Sequence, residues 1–401
     1  MSRVQARALG AVLAAALLGG LLALGVARGL GWAGSTKTVE TVVAPPASPR
    51  IAAVVSAAKP LPGNGFDPAR IYATRSPGVV TIIAVFNGAS ALTGGQAQGS
   101  GFVVSPAGYI LTNSHVITNS GETQGGKVSP ADTVYVEFQD GDRVPARIVG
   151  WDVFDDVGLI KVDPGSHALD PVPLGDSSKV VVGAPVAAIG RPFGNDNSLS
   201  VGVVSATKRS PDSLTSRYSL VDAIQTDAPI NHGNSGGPLF DAKGRVIGIT
   251  AQIRSDTGNA DGVGFAVPIN SARRSMDQLV AHGKVSYAFV GVTTVDLTPS
   301  LAAHFHVPVG YGAVVASVAP GTPAAKAGLE AGTDATFEGI DFPRGGDVIV
   351  AIDGTPVRNK EDVVRIVTDR LRPGEAATFT VIRDGKRRAV RIELGSRGRN
   401  P

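Results

Sequence analysis

The hydrophobic pattern of the chain changes near Ile71. From there to about residue 268, short apolar or alternating runs are separated by glycine, asparagine and other turn residues. Strands this short predict an antiparallel barrel or sandwich, and the length suits two small barrels side by side. The predicted strands are 79–85, 101–104, 109–112, 133–138, 147–151, 157–162, 186–189, 199–206, 224–226, 238–240, 246–253 and 262–268.

A helix and a second unit follow the barrels. The pattern predicts a helix over 271–282 with Met276, Leu279 and Val280 as its apolar stripe. From about residue 286 the chain resumes a strand texture, and we expect segment 332–346 to be an insertion or surface loop and 395–401 a frayed tail. The predicted elements of this unit are strands at 290–295, 313–318, 347–352, 377–383 and 390–394, with helices at 323–329 and 360–369.

The N-terminal region predicts a membrane segment. Residues 8–27 carry no charge for 20 positions, which is long enough for a helix to cross a bilayer. Arg3 and Arg7 precede this run and favour a cytoplasmic N-terminus (residues 1–7) with the remaining chain outside. A cleaved signal peptide ending near Ala27 is the alternative, although its apolar region is usually shorter. The Pro- and Ala-rich residues 28–66 are expected to form an extended linker.

Composition removes several classes of function. The net charge is only +3, and scattered basic residues give no footprint for nucleic acid. With no cysteine, the chain has no disulfide, thiolate metal site or cysteine nucleophile. The six histidines lack ligand spacing beside a carboxylate, and His304 and His306 are interpreted as surface residues. We therefore expect neither a metal site nor a cofactor.

Ser235 is the candidate nucleophile. Its glycine-rich surroundings, Gly-Asn-Ser-Gly-Gly at 233–237, let a hydroxyl project while neighbouring N–H groups converge, although the same letters are typical of an ordinary tight loop. A serine hydroxyl needs a base and a group that orients the base. His115 comes after the predicted strand 109–112, with Asn113 and Ser114 between them, and Asp156 directly precedes the strand 157–162. Asp152 and Asp155 are the alternative carboxylates.

Five blocks of the sequence resemble the signature blocks of the HtrA/Deg serine proteases. They lie at 99–104, 112–116, 156–162, 233–239 and 264–268, and the resemblance covers residues 70–395 in order. It implies a mostly β protein, with a chymotrypsin-like double β-barrel protease domain over 67–283 and one PDZ domain over 284–396. Residues 397–401 would then be a disordered tail.

The resemblance also implies the role of each residue. Ser235 would attack the scissile carbonyl, His115 would take and return the proton, and Asp156 would orient His115. The N–H groups of Gly233 and Ser235, with Asn234 between them, would form the oxyanion hole. Thr250, Ala251 and the apolar run 264–267 suggest a substrate pocket for a small or medium aliphatic side chain.

In the second unit, Phe289-Val290-Gly291-Val292 resembles the PDZ carboxylate loop, whose N–H groups bind a peptide C-terminus. A plain core strand is the alternative interpretation of these four residues. One residue departs from the family pattern, because His232 stands where proline is usual. Our hypothesis is that histidine lets the resting loop collapse more easily, and a tolerated surface substitution is the alternative.

Together these features predict a membrane-anchored, extracytoplasmic serine endopeptidase of the periplasm. It would cleave unfolded or misfolded polypeptides in protein quality control, bind peptide C-termini at its PDZ domain and, as the resemblance implies, form a homotrimer. Two alternatives stay open: a stress-sensor protease with one specific substrate, and a PDZ-based chaperone or scaffold with little proteolysis.

Overall fold

The structure is a computed structural model that describes residues 65–87, 95–120, 128–191, 197–211, 213, 215, 220–230, 233–251, 262–337 and 339–397. The predicted membrane segment 8–27 and the linker up to residue 64 lie outside these ranges. Within them, no helix has both the length and the apolar character that crossing a membrane requires.

The first barrel carries two of the three candidate catalytic residues. Six antiparallel strands close it in the order β1-β2-β3-β6-β5-β4, and its interior is filled by aliphatic side chains such as Ile82, Ile110 and Ile160. Before it, helix α1 (Pro68–Arg75) begins at Asp67, whose carboxylate accepts the N–H of Arg70. Helix α2 (Ser114–Ile117) follows the third strand. The strands are β1 Val79–Val85, β2 Gln96–Val103, β3 Tyr109–Thr112, β4 Thr133–Glu137, β5 Arg143–Asp152 and β6 Val157–Val162.

The second barrel has the same construction, in the order β10-β11-β12-β9-β8-β7. A core that includes Phe102 and Leu111 of the first barrel and Phe240 and Ile249 of the second joins the two. The predicted double barrel is therefore present. Its strands are β7 Pro185–Gly190, β8 Ser198–Arg209, β9 Ala223–Thr226, β10 Pro238–Phe240, β11 Val246–Ala251 and β12 Gly264–Pro268.

Helix α3 (Ile269–His282) packs against this core with two of its three predicted stripe residues, Met276 and Leu279. Ile269, Ala272 and Leu279 are buried, and Met276 is partly buried. Val280 is 48% exposed, so its place in the apolar stripe was wrong. A step of one residue turns a side chain about 100° around the helix, which carries Val280 away from the line through Leu279.

The second unit is a small β domain. Its strands are β13 Tyr287–Phe289, β14 Val292–Leu297, β15 Gly312–Val318, β16 Thr333–Phe337, β17 Ile340–Arg344, β18 Val348–Ile352, β19 Thr355–Pro356, β20 Ala376–Arg383, β21 Lys386–Glu393 and β22 Gly395–Arg397. Its helices are α4 Pro299–His304, α5 Pro323–Lys326 and α6 Lys360–Arg370. A sheet in the order β14-β15-β18-β20-β21, with β19 on β18, packs against helix α6 around Phe379 and Ile349.

Segment 332–346, expected to be an insertion or surface loop, contains a β-hairpin, β16–β17, and its Phe342 is buried. Two other expectations for this unit need correction. The helix predicted over 323–329 ends at Lys326, ahead of Gly328 with its φ of +77°. The predicted tail is wrong at 395–397, because these residues form β22, which pairs with β13. Residues 398–401 lie outside the described ranges.

Candidate active site

Strand pairing brings His115 and Asp156 together, although they are 41 positions apart. Strands β3 and β6 are neighbours in the first barrel, and Thr112 pairs with Gly158. The residues just beyond these strand ends therefore meet at one edge of the barrel. There, His115 Nδ1 lies 2.8 Å from Asp156 Oδ2. His115 belongs to the short helix α2 rather than to the open loop that the sequence suggested.

Asp156 is held on every side. Its Oδ1 accepts a hydrogen bond from Ser114 Oγ at 2.7 Å and one from the His115 N–H at 3.1 Å. Its backbone carbonyl accepts from Asn113 Nδ2 at 2.8 Å. The side chain is buried, and a φ of +50° places the residue in the left-handed region. Among the described residues, Oδ2 is hydrogen-bonded to the imidazole only, and these contacts fix the orientation of the carboxylate.

The same contacts set the basicity of His115. Burial lowers the pKa of the imidazole, but the charge of Asp156 and its hydrogen bond act in the other direction. The two contributions of Asp156 outweigh burial, so the pKa of His115 lies above its ordinary value. The pair thus favours the imidazolium that forms when His115 accepts a proton.

Ser235 lies in a turn pinned between the barrels. The carbonyl of Asn234 accepts from Thr250 Oγ1 at 2.6 Å, and the carbonyl of Ser235 accepts from the Ser100 N–H at 2.8 Å. Ser100 Oγ also donates to the carbonyl of Gly233 at 2.6 Å. The first barrel therefore fixes a loop that the second barrel carries.

Gly236 shows how closely this loop approaches the His115 side of the site. Its φ is +87°, and a Cβ there would lie 2.2 Å from Ser100 O and 2.4 Å from Thr112 Oγ1. Thr112 is three residues before His115, so the Ser235 turn rests against the strand that leads to the imidazole. Only glycine fits this contact.

The reactive groups of the turn are not engaged elsewhere in the part of the chain that the structure describes. Ser235 is 5% exposed, and its Oγ has no hydrogen-bond partner there. The N–H groups of Gly233 and Ser235 donate to none of the described acceptors either. The turn thus combines a buried hydroxyl with two available N–H donors, which is the equipment of an acyl-transfer site.

The alternative carboxylates lie elsewhere. Asp152 and Asp155 both hydrogen-bond to the phenol of Tyr287, and Asp155 also pairs with Arg274. Neither makes a hydrogen bond to His115 among the described residues. Of the three candidates, Asp156 alone contacts the imidazole.

A second candidate site lies on the PDZ-like unit. A groove of about 240 Å³ runs between β14 and α6, lined by the predicted carboxylate-loop residues and by aliphatic side chains of the helix such as Val363 and Val367. Strand β13 ends at Phe289 and β14 begins at Val292, so Val290 and Gly291 form a loop between them. Gly291 has a φ of +89°. The interpretation as one continuous core strand was therefore wrong.

Some sequence expectations fall outside the described residues. His232 is one of them, as are residues 252 and 253 of the predicted strand 246–253. Thr250 and Ala251 are described and buried, and 264–267 lies in β12. His304 and His306 are exposed, as expected. No group of three acidic or histidine side chains in the described ranges is arranged to hold a metal ion.

Sequence reasoning missed the residues that support the site. Ser100, Asn113 and Ser114 all lie inside the quoted blocks, but their partners, Gly233 and Asp156, are distant in sequence. Tyr287 lies 135 positions from Asp152. Adjacency to His115 was the available signal for Asn113 and Ser114, whereas nothing in the sequence pointed to Tyr287.

Comparison with known proteins agrees with this architecture. Residues 99–249 match a trypsin-like peptidase domain and residues 288–394 a PDZ domain. A probable periplasmic serine endoprotease, DegP-like, from Pseudomonas fulva is 39% identical over 301 residues, covering 75% of this chain and 56% of the relative. The corresponding protein of Brucella suis is 37% identical over 300 residues, covering 75% and 53%. The chain thus spans about half the length of these curated relatives.

Solved structures match over nearly their whole length. The HtrA-type protease AlgW with a tripeptide is 33% identical with a TM-score of 0.68, covering 82% of this chain and 97% of AlgW. A serine endoprotease from Yersinia pestis is 28% identical with a TM-score of 0.58, covering 82% and 98%. The double barrel, the PDZ domain and these similarities place the chain in the family of HtrA-type serine proteases.

Proposed function

We propose that the protein is an extracytoplasmic serine endopeptidase that cleaves unfolded or misfolded polypeptides. Ser235 is the nucleophile, His115 the general base and then acid, and Asp156 the residue that orients His115. The N–H groups of Gly233 and Ser235, on either side of Asn234, hold the oxyanion. No step in this scheme uses a cofactor or a metal.

One observation carries the proposal. His115 Nδ1 faces Asp156 Oδ2 at 2.8 Å, which leaves Nε2 as the nitrogen for the nucleophile. The neighbouring turn offers the Ser235 hydroxyl, which has no hydrogen-bond partner among the described residues, His115 included. Asp156 favours the protonated imidazole, so a proton taken from Ser235 is stabilised in the transition state. The DegP-like and HtrA-type relatives support the same reaction class.

The PDZ groove is proposed to bind polypeptide C-termini. In this mode, the N–H groups of the loop Phe289–Val292 hold the terminal carboxylate while the peptide adds as a strand to β14. Aliphatic side chains of α6 in the groove favour an apolar last residue. A peptide that ends in a free carboxylate should bind, and the same peptide with a C-terminal amide should not.

The location and assembly are proposed on fewer observations. The uncharged run 8–27 would anchor the chain in the membrane with both domains outside the cytoplasm, and the periplasmic relatives support the location of those domains. A homotrimer built through the protease domains is proposed from the family resemblance alone. Sedimentation of the purified chain in detergent tests it.

Cleavage of an unfolded substrate tests the main proposal. Full-length protein is mixed with β-casein carrying a self-quenching dye, with and without peptides that end in apolar carboxylates. Ser235→Ala should lower turnover by about 10⁴-fold or more. Ser166→Ala, at an exposed serine, is the matched control and should leave turnover unchanged.

The peptide arms distinguish the two alternative functions. Cleavage that needs one particular peptide would favour a sensor protease with a narrow substrate. Folded protein that binds peptides yet cleaves nothing would refute the proposal and leave a PDZ-based chaperone or scaffold. The similarity to AlgW, which was solved with a tripeptide, is the observation that favours the sensor alternative.

A further inference from the structure

The turn that carries Asp156 is held by a residue of the PDZ domain. This turn comprises residues 153–156 and joins β5, whose last residue is Asp152, to β6. Asp152 shapes it, because its Oδ1 accepts the N–H of Phe154 at 3.0 Å. The other oxygen of Asp152 accepts from Ser275 Oγ of α3 at 2.7 Å and is also hydrogen-bonded to the phenol oxygen of Tyr287 on β13. Asp152 thus links the turn of Asp156 by hydrogen bonds to helix α3 and to strand β13 of the PDZ domain.

Tyr287 reaches a second carboxylate, within the turn itself. Its hydroxyl oxygen lies 3.0 Å from Asp155 Oδ2, in addition to its short contact with Asp152 Oδ2. The ring is 4% exposed and packs edge-on against Phe154, with ring centroids 5.4 Å apart. Two carboxylates, one at the end of β5 and one in the turn, therefore converge on a single buried phenol.

The phenol of Tyr287 cannot donate to both carboxylates. A phenol has one proton and can donate it to one carboxylate, while its oxygen faces the other. If both carboxylates were ionised, one contact would bring two lone pairs together without a proton between them. A proton on Asp152 Oδ2 removes the conflict, because Asp152 donates to Tyr287, and Tyr287 donates to Asp155.

Arg274 completes the chain toward the PDZ helix. Its guanidinium contacts Asp155 Oδ2 at 3.3 Å and Asp369 Oδ1 of α6 at 2.9 Å. Arg274 is thus the cation between two carboxylates, Asp155 and Asp369. Ionising Asp152 would add a further negative charge beside the buried Asp155, where burial makes that costly. Beyond the cluster, Asp369 interacts with Asp222 and Arg365, and Asp222 in turn interacts with Lys208 and Asp362. Arg397 lies over the ring of Phe154.

The electrostatics agree with the proton count. Burial and the neighbouring Asp155 raise the pKa of Asp152 to about 6. Burial, followed by the charges of Asp152 and Asp155, raises the pKa of Tyr287 well above its ordinary value. The phenol therefore keeps its proton, and Asp152 is the group that exchanges one near neutral pH.

We propose that Tyr287 is a positioning residue of the protease, which holds the turn of Asp156 through a proton shared with Asp152 and Asp155. This inference rests on the proposed function for its catalytic consequence, because Asp156 must orient His115 for the turn to matter. Loss of the proton as the pH rises weakens the hold of the PDZ domain on the turn. The turn of Asp156 is therefore held more rigidly at acidic pH and is more mobile at alkaline pH.

The test compares wild type with Asp152→Asn, whose amide imitates the protonated carboxyl. Full-length protein is studied at pH 5.5 and pH 8 by hydrogen exchange of residues 152–157 and by the rate at which a fluorophosphonate labels Ser235. Because both proteins contain the same His115, their ratio cancels the ordinary titration of the base. We expect equal behaviour at pH 5.5, and faster exchange with several-fold slower labelling of wild type at pH 8.

Tyr287→Phe provides the second comparison, because the ring remains while the shared hydroxyl is lost. Labelling and kcat should fall about tenfold at pH 5.5 with KM unchanged, as expected for a positioning effect worth one hydrogen bond. Tyr72→Phe, which removes a 2.6 Å hydrogen bond to Asn197 O far along the chain, is the matched control and should change neither.

Two results would overturn the inference: wild type and Asp152→Asn could share one pH dependence in both measurements, or Tyr287→Phe could alter stability while labelling stays unchanged. Failure of the proposed function would look different. If no variant is labelled at any pH, the protease assignment falls, and the exchange data still decide whether the junction holds a proton.

Discussion

Replacing Asp156 by asparagine should nearly abolish catalysis without unfolding the protein. The two side chains have the same shape, and the asparagine oxygen can keep both hydrogen bonds that Oδ1 now accepts, from Ser114 Oγ and from the His115 N–H. The new NH₂ group then takes the place of Oδ2 and faces His115 Nδ1 at 2.8 Å. The inverted amide is disfavoured because its NH₂ would face those two donors.

This geometry sets the size of the effect. An NH₂ donor opposite Nδ1 forces the imidazole to present a lone pair there, so its proton moves to Nε2. Nε2 can then no longer accept a proton from Ser235. Loss of the correct tautomer is expected to lower kcat by about 10⁴, or roughly 5 kcal/mol of transition-state stabilisation. The pKa of His115 should fall below its ordinary value, since burial lowers it and Asp156 no longer raises it.

The assay is kcat and KM for dye-labelled casein from pH 5.5 to 9, combined with an NMR titration of His115 in histidine-labelled protein. Asp152→Asn and Asp155→Asn are matched controls from the same segment and should stay within about tenfold of wild type. Retention of more than a tenth of the activity by Asp156→Asn would refute the reasoning. An equal loss of kcat in Asp155→Asn would also refute it, because Asp156 would then not be the specific orienting carboxylate.

Three further predictions follow from single contacts. Ser114→Ala should lower the free energy of unfolding by about 1.5–3 kcal/mol in urea titrations, because a buried carboxylate loses a 2.7 Å donor, and Ser114→Thr should recover part of it. Gly291→Ala should abolish peptide binding in fluorescence anisotropy, since its Cβ would lie 2.3 Å from Thr322 Cβ, and undiminished affinity would contradict the loop assignment. The pKa of Asp152 is raised from 3.8 to about 6, so between these values the folded protein binds a proton that the unfolded chain releases. The free energy of unfolding should therefore fall by up to about 3 kcal/mol as the pH rises from 4 to 6. Asp152→Asn should lack this loss.

The barrels could be predicted from sequence because their strands carry a local signal. Val79–Val85, Tyr109–Thr112, Val157–Val162 and Pro238–Phe240 have the bounds expected from their apolar runs. Other strands extend further into polar sequence, as in Arg143–Asp152, where pairing with β4 and β6 determines the ends. Short apolar runs therefore mark the buried centres of strands, and hydrogen bonding to neighbours sets their length.

Elements without a periodic pattern were missed for the opposite reason. Helix α1 has a local start signal in Asp67-Pro68, but its eight residues are only weakly amphipathic. Strand β22 consists of Gly-Ser-Arg, and it exists because Leu394 is buried and the next residues pair with β13. Such segments take their structure from the surface on which they lie, which the sequence of the segment does not contain.

The residues of the candidate site also fall into those with a local sequence signal and those without one. His115, Asp156 and Ser235 could be named because each lies in a distinctive block, and the structure brings His115 and Asp156 into contact. The choice of Asp156 over Asp155 rested on one position beside a strand, and the structure explains it by the pairing of β3 with β6. The role of Tyr287 could not be predicted, because it depends on packing between the PDZ and protease domains, whose contacting residues are far apart in sequence.

The most direct test of the central claim is the site of covalent modification by a fluorophosphonate, read by mass spectrometry of the intact chain and of its peptides. A folded, full-length protein should gain one adduct, on Ser235, and lose it in Ser235→Ala, while Asp156→Asn should react orders of magnitude more slowly. An adduct on another serine, or none on folded wild-type protein, would contradict a serine protease mechanism centred on Ser235.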